Sequence, residues 1–124
     1  TIHHMESEVH GKLINNINFP DIIRALFPGG SITGAPKERS IEIIDEIENY
    51  NRGIYTGTIG YLSSNGCMNF NIAIRTLSLN SQKAVYPVGG GIVWDSTAEG
   101  ERIEALNKGK VIDSIVTNMI NEYA

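Results

Sequence analysis

The sequence predicts an α+β fold, with a twisted antiparallel sheet and helices packed on its outside. Two observations carry this. An Asn65-Gly66 pair, the strongest short-range hairpin signal, stands between two runs with the alternation of strands. Other stretches, before and after those runs, repeat apolar residues at helical spacing instead. Strands grouped in the middle and helices at either side read as α+β rather than as alternating βαβ units.

Taken in order, residues 2 to 14 read as extended, since Met5, Ser7 and Val9 alternate with His4, Glu6 and Glu8. A turn over 15–18 leads to a helix start at Asn18, with Pro20 in its first turn and Asp21 three residues on. Ile22, Ile23, Leu26 and Phe27 make this a short helix, which Pro28-Gly29-Gly30 stops. Pro36 suits the first position of a second helix running to about Tyr50. Ile41, Ile44 and Ile47 form its expected buried stripe. Strands are then expected over Ile54 to Leu62, Met68 to Leu77 and Ala84 to Val88, with Pro87 demoting the third to an edge. In the second, Met68, Phe70, Ile72 and Ile74 form one face, and Asn69, Asn71, Ala73 and Arg75 the other. Asp95-Ser96-Thr97 caps a last helix from about Ala98 to Asn121, with Ile112, Ile115, Val116 and Met119 as its apolar stripe.

The 124 residues fit one domain, and 41% hydrophobic with 19% charged residues is ordinary for a globular protein. A net charge of −4 argues against a nucleic-acid surface. No apolar run approaches the length that spans a membrane. The lone Cys67 excludes an internal disulfide and points to a reducing cytoplasm. Thr1 stands where an initiator Met would, so the chain is expected to be a piece of something longer.

Several constellations could carry chemistry, each with a structural alternative. Gly89-Gly90-Gly91 leaves backbone N–H groups bare, which suits a carboxylate but also a bulge. Glu101 and Glu104, three apart on a helix, share one face. Such a pair suits Mg²⁺, while Glu104 could equally pair with Lys108 on a solvated surface. Arg75 on the polar strand face could clamp a carboxylate or snorkel into water. His4, beside His3, could orient a substrate or belong to a tag remnant; nothing supplies zinc-ligand spacing around it. Ser31 and Thr33 precede a helix start and could hold an anion or simply cap. Lys37 follows a glycine-rich stretch, but the Gly-Lys-Ser/Thr ending of a phosphate-binding loop is absent.

In order along the chain, the runs FPGGSITGAPKERSIEIIDEIE, RGIYTGTIGYLSSNG, NIAIRTL and GGGIVWDSTAEGERIEALNK resemble the C-terminal region of the chorismate-binding enzyme family, over nearly all of the sequence. The resemblance implies that residues 1–124 are the C-terminal portion of a chorismate-binding domain, a partial copy of a larger two-sheet fold. GGSITGAPK and NIAIRTL look more like the aminodeoxychorismate-forming type, on the route to para-aminobenzoate and folate, than the anthranilate-forming type. A non-catalytic fragment that keeps only partial chorismate binding is a further alternative. By resemblance Glu104 is an Mg²⁺ ligand with Glu101 as its acidic partner. Tyr55 and Arg75 hold the enolpyruvyl carboxylate, with Gly89 and Gly91 as backbone donors nearby. His4 lies near the 4-hydroxyl of the ring, and Ser31 sits beside the substrate. The implied partners are chorismate and a glutamine amidotransferase subunit or domain that supplies ammonia. The family's further metal-binding carboxylates and its lysine nucleophile lie upstream of the matched region, so this chain by itself is expected to be inactive.

Overall fold

The computed structural model describes residues 6–123, with side chains described over residues 6–117. Helix α1 spans Phe19–Leu26, α2 Lys37–Ile47 and α3 Ala98–Tyr123. Strand β1 spans Thr58–Leu62, β2 Met68–Ile72, β3 Ser78–Leu79 and β4 Ala84–Val85. The α+β class stands, but the strands form two separate antiparallel ribbons, β1–β2 and β3–β4.

Short-range signals act as the sequence implies. Asn18 caps α1 reciprocally: its side chain accepts from the Asp21 N–H at 3.1 Å and the Asp21 carboxylate accepts from the Asn18 N–H at 3.2 Å. Between β1 and β2, Gly66 takes the left-handed conformation at φ 84°. The Ser63 N–H donates to Cys67 O at 2.8 Å and sets the register that pairs Leu62 with Met68 and Thr58 with Ile72. Thr97 starts α3, its hydroxyl accepting from the Gly100 N–H at 3.2 Å. Phe19 of α1 stacks on Phe70 of β2 with ring centroids 5.5 Å apart.

Several bounds differ from expectation, each for a local reason. Helix α2 stops at Ile47 rather than near Tyr50, because Glu48 is extended at ψ 120° and turns its carboxylate onto Arg52. Residues 54–57 form a turn instead of the start of β1: the Gly57 N–H donates to Ile54 O at 2.9 Å and Thr56 has φ 66°. Strand β2 ends at Ile72 because the Ile74 N–H folds back to Ile72 O at 2.8 Å and Arg75 takes φ 51°. Ala84–Val85 pairs with Ser78–Leu79, a short ribbon that takes the place of the third strand to Val88. Of the expected first strand, residues 6–14 form no strand, and residues 2–5 lie outside the described residues.

The apolar stripes are in place but are not covered. Ile41 is 44% and Ile47 69% exposed, against the expected buried face of α2. Ala73 is the buried hydrophobic residue among those described. The chain exposes 10887 Å², whereas a folded monomer of 13.6 kDa exposes about 6,600 Å². No helix backbone packs closely against another element among the described residues. No helix among them is long and apolar enough to cross a membrane.

Candidate active site

An open cavity of about 780 Å³ lies between the loop before α2, one face of α2 itself, the Arg52–Thr56 turn, the glycine run and Lys108 of α3. Of the residues singled out in the sequence, Ser31, Thr33, Tyr55, Gly89, Gly90, Gly91 and Lys108 line it, and Glu101 and Glu104 do not. Their elements are brought together by turns rather than by a packed core.

Tyr55 is set from below. Its N–H donates to Arg52 O at 3.0 Å, and the Arg52 guanidinium lies over its ring at 5.3 Å. Arg52 is in turn gripped by Glu48 through two parallel bonds of 2.7 and 2.5 Å. Those bonds hold the Glu48 carboxyl below its ordinary range and raise Arg52 further. Tyr50 is pushed up, first by burial and then by the charge of Glu48. The Tyr55 hydroxyl reaches Gly89 so closely that a Cβ there would stand 2.7 Å from it. Tyr55 and the glycine run thus form one wall, as an anion held by a phenol and bare N–H groups requires.

The two carboxylates of α3 face the same glycine run. A Cβ on Gly90 would stand 2.6 Å from Glu101 Oε2 and 3.7 Å from Glu104 Oε1. Ser96 donates to Glu101 Oε1 at 2.5 Å, while Oε2 is buried with no hydrogen-bond partner. A buried carboxylate oxygen without a partner is costly and calls for a cation or donor. Lys108, one turn on, donates to Glu104 Oε1 and to Gly89 O at 2.9 Å. The ion pair of Glu104 with Lys108 that the spacing allowed is therefore present, and it faces the cavity that Lys108 lines.

The donor set suits Mg²⁺. This ion takes one or two carboxylates and fills the remaining positions with water and substrate oxygens. Glu101 offers the orphaned oxygen, and Glu104 stands on the same side of Gly90 with its Oε1 held by Lys108, which an ion there would displace. No cluster of three or more metal-ligating side chains occurs among the described residues.

Two singled-out residues are not gathered here. Arg75 is exposed, sits on the left-handed turn after β2 and does not line the cavity. His4 lies outside the described residues. Sequence reasoning missed the Glu48–Arg52 pair and gave Lys108 only a surface role. Their signal was the spacing of four, Glu48 to Arg52 and Glu104 to Lys108, which puts opposite charges on neighbouring turns.

Tyr55 and a glycine run with two carboxylates beside it are thus brought together from far apart in the chain. Residues 1–114 match the family model described as chorismate binding enzyme, and the chain belongs to that family. Among its relatives, it is 47% identical over 107 residues to aminodeoxychorismate synthase component 1 of Escherichia coli (strain K12), covering 86% of this chain and 24% of that protein. It is 46% identical over 108 residues to the chloroplastic aminodeoxychorismate synthase of Arabidopsis thaliana, covering 87% of this chain and 12% of that protein. It is 48% identical over 107 residues to anthranilate synthase component 1 of Lactococcus lactis subsp. lactis, covering 86% of this chain and 24% of that protein. The chain thus spans a quarter or less of the length of these relatives.

Proposed function

We propose that this chain is the C-terminal portion of the chorismate-binding domain of an aminodeoxychorismate synthase component I. The whole enzyme converts chorismate and glutamine-derived ammonia to 4-amino-4-deoxychorismate, replacing the ring 4-hydroxyl by an amino group. The reading rests on one observation above others: Tyr55 and the Gly89–Gly91 run line one open cavity, and the Glu101 and Glu104 carboxylates of α3 stand against Gly90 of that same wall.

Chorismate is a dianion, and this chain is acidic, so the site must concentrate positive charge locally. Tyr55 and the bare N–H groups of Gly89 and Gly91 hold the enolpyruvyl carboxylate, and Ser31 meets the substrate from the opposite loop. Arg75 and His4 keep the roles that the family resemblance gives them, in the complete protein. Glu104 and Glu101 hold Mg²⁺, which when bound neutralises charge at the ring carboxylate. Lys108, already between Glu104 and Gly89, adds a cation at the junction of the two subsites. The partners are chorismate and a glutamine amidotransferase. The chain by itself does not turn chorismate over. An exposed free thiol at Cys67 is in keeping with a reducing cytoplasm.

The test is product analysis. The full-length protein with chorismate, Mg²⁺ and ammonia should form 4-amino-4-deoxychorismate. Anthranilate as the product would instead assign the tryptophan branch, which the identity to the Lactococcus lactis protein also supports. Formation of neither product by folded full-length protein would end the proposal.

A further inference from the structure

We propose that Lys37 is a positioning residue: its ammonium locks the Gly29–Gly34 loop and so places Ser31 and Thr33 on the cavity wall. The effect on turnover rests on the chorismate reading above; the lock itself does not. Three backbone carbonyls converge on the Lys37 ammonium, from Gly29 at 2.9 Å, Gly30 at 2.8 Å and Ile32 at 2.5 Å. An ammonium has three protons, and all three are engaged. Lys37 therefore has no donor left for a substrate and acts through the loop.

The loop needs such a lock. Its three carbonyl oxygens are gathered on one ammonium and, all being negative ends of dipoles, would repel one another without a cation between them. Thr33 is β-branched yet holds φ 66°, and Gly34 follows at φ 119°, so two successive residues are left-handed. The Ile32 N–H closes the turn onto Gly29 O at 2.9 Å. Gly29 is seated on β2, where a Cβ would stand 3.1 Å from Ile72 Cδ1. The lysine thus ties a strained segment between the hairpin and the start of α2. Its own place is unfavourable by the simplest electrostatics, since Lys37 is the first residue of α2 and helix N-termini repel cations. Three carbonyl partners offset that cost. Ser31, Thr33 and Gly34, which the loop carries, all line the cavity.

The experiment uses the full-length protein and Lys37→Ala, with ethylammonium as a replacement donor. Tetramethylammonium, a cation without N–H groups, is the control. Hydrogen exchange of the Ile32 amide, which bonds to Gly29 O, should quicken about 10-fold in the variant while the β1–β2 hairpin is unchanged. Ethylammonium should restore protection and tetramethylammonium should not. With chorismate, kcat/KM should fall about 10- to 100-fold, as a displaced binding loop implies, and recover with ethylammonium alone. If Lys37→Ala does not fold, its refolding yield in ethylammonium against tetramethylammonium decides in the same way. Loop exchange equal to wild type, or recovery that is equal with both cations, overturns the lock. A wild-type protein that does not use chorismate would remove the functional reading while the exchange data still judge Lys37.

Discussion

The cavity wall and the outer faces of this chain are built by different means. Around the cavity several polar groups have named partners: Lys37 with three carbonyls, Arg52 with Glu48, Lys108 with Glu104 and Gly89, Ser96 with Glu101. The outer faces are the reverse. Trp94 is 99%, Val9 92% and Leu79 72% exposed, and no helix backbone packs closely against another element among the described residues. Directional bonds of short sequence range can shape a loop or a turn by themselves. Apolar stripes yield stability only when another surface removes them from water, at about 25 cal/mol per Å². The site is thus held by local bonds, while the scaffold beneath it carries apolar faces that stay open to water among the described residues.

The hardest test of that contrast is to study residues 1–124 alone. We expect no conversion of chorismate, no cooperative melting transition and strong binding of an apolar dye such as ANS. The single tryptophan, Trp94, should fluoresce as a water-exposed indole. A sharp two-state melt with no dye binding would show that the faces are covered after all. The next effect in size is metal binding. In the full-length protein, Glu104→Gln should lower kcat/KM more than about 100-fold, since a neutral amide is a poor ligand for a hard cation. Glu101→Gln should cost less, about 10- to 100-fold, if it supports the ion rather than binding it alone. Titration of Mg²⁺ by calorimetry should show the same order, and equal affinity in both variants and wild type would remove the ion from this pair. Smaller again is Gly90→Ala. Its Cβ would press on Glu101 Oε2, so Mg²⁺ affinity should weaken about 10-fold with the melting temperature little changed.

This contrast also explains what the sequence disclosed. Asn18 with Asp21, Asn65-Gly66 and Thr97 all announced their elements, because caps and turns are decided within a few residues. The glycine run and the α3 carboxylates were legible as a site only as separate fragments. Their convergence on Gly90 is a tertiary fact that no spacing encodes. Strand ends were misplaced at Thr56 and Arg75, where ordinary residues adopt left-handed backbone and alternation gives no warning. The stripe of Ile41, Ile44 and Ile47 was read correctly as apolar and wrongly as buried: Ile41 and Ile47 are exposed and Ile44 is half-buried. Periodicity reports which face seeks cover and is silent on whether the cover is present.

The smallest expected effect concerns Glu48, whose pair with Arg52 supports Tyr55. The Arg52 hydrogen bonds lower the Glu48 carboxyl in the folded protein, against the opposing effect of burial. A carboxyl lowered on folding adds stability that is present above its unfolded value, about 4.3, and is lost as pH falls through the folded value. Glu48→Gln removes that linkage. The full-length variant should therefore be less stable than wild type at neutral pH, and the gap should close as pH is lowered past about 4. Both side chains are 22% exposed, so water screens the pair only in part. Arg52 is left without its charged partner in the variant, and Tyr55 loses the base of its stack, so the chorismate KM should rise while kcat changes little. Melting temperatures across the acid range, read beside KM at neutral pH, check both halves. A gap that stays constant from pH 7 to pH 3 would show that the pair contributes by shape and not by charge.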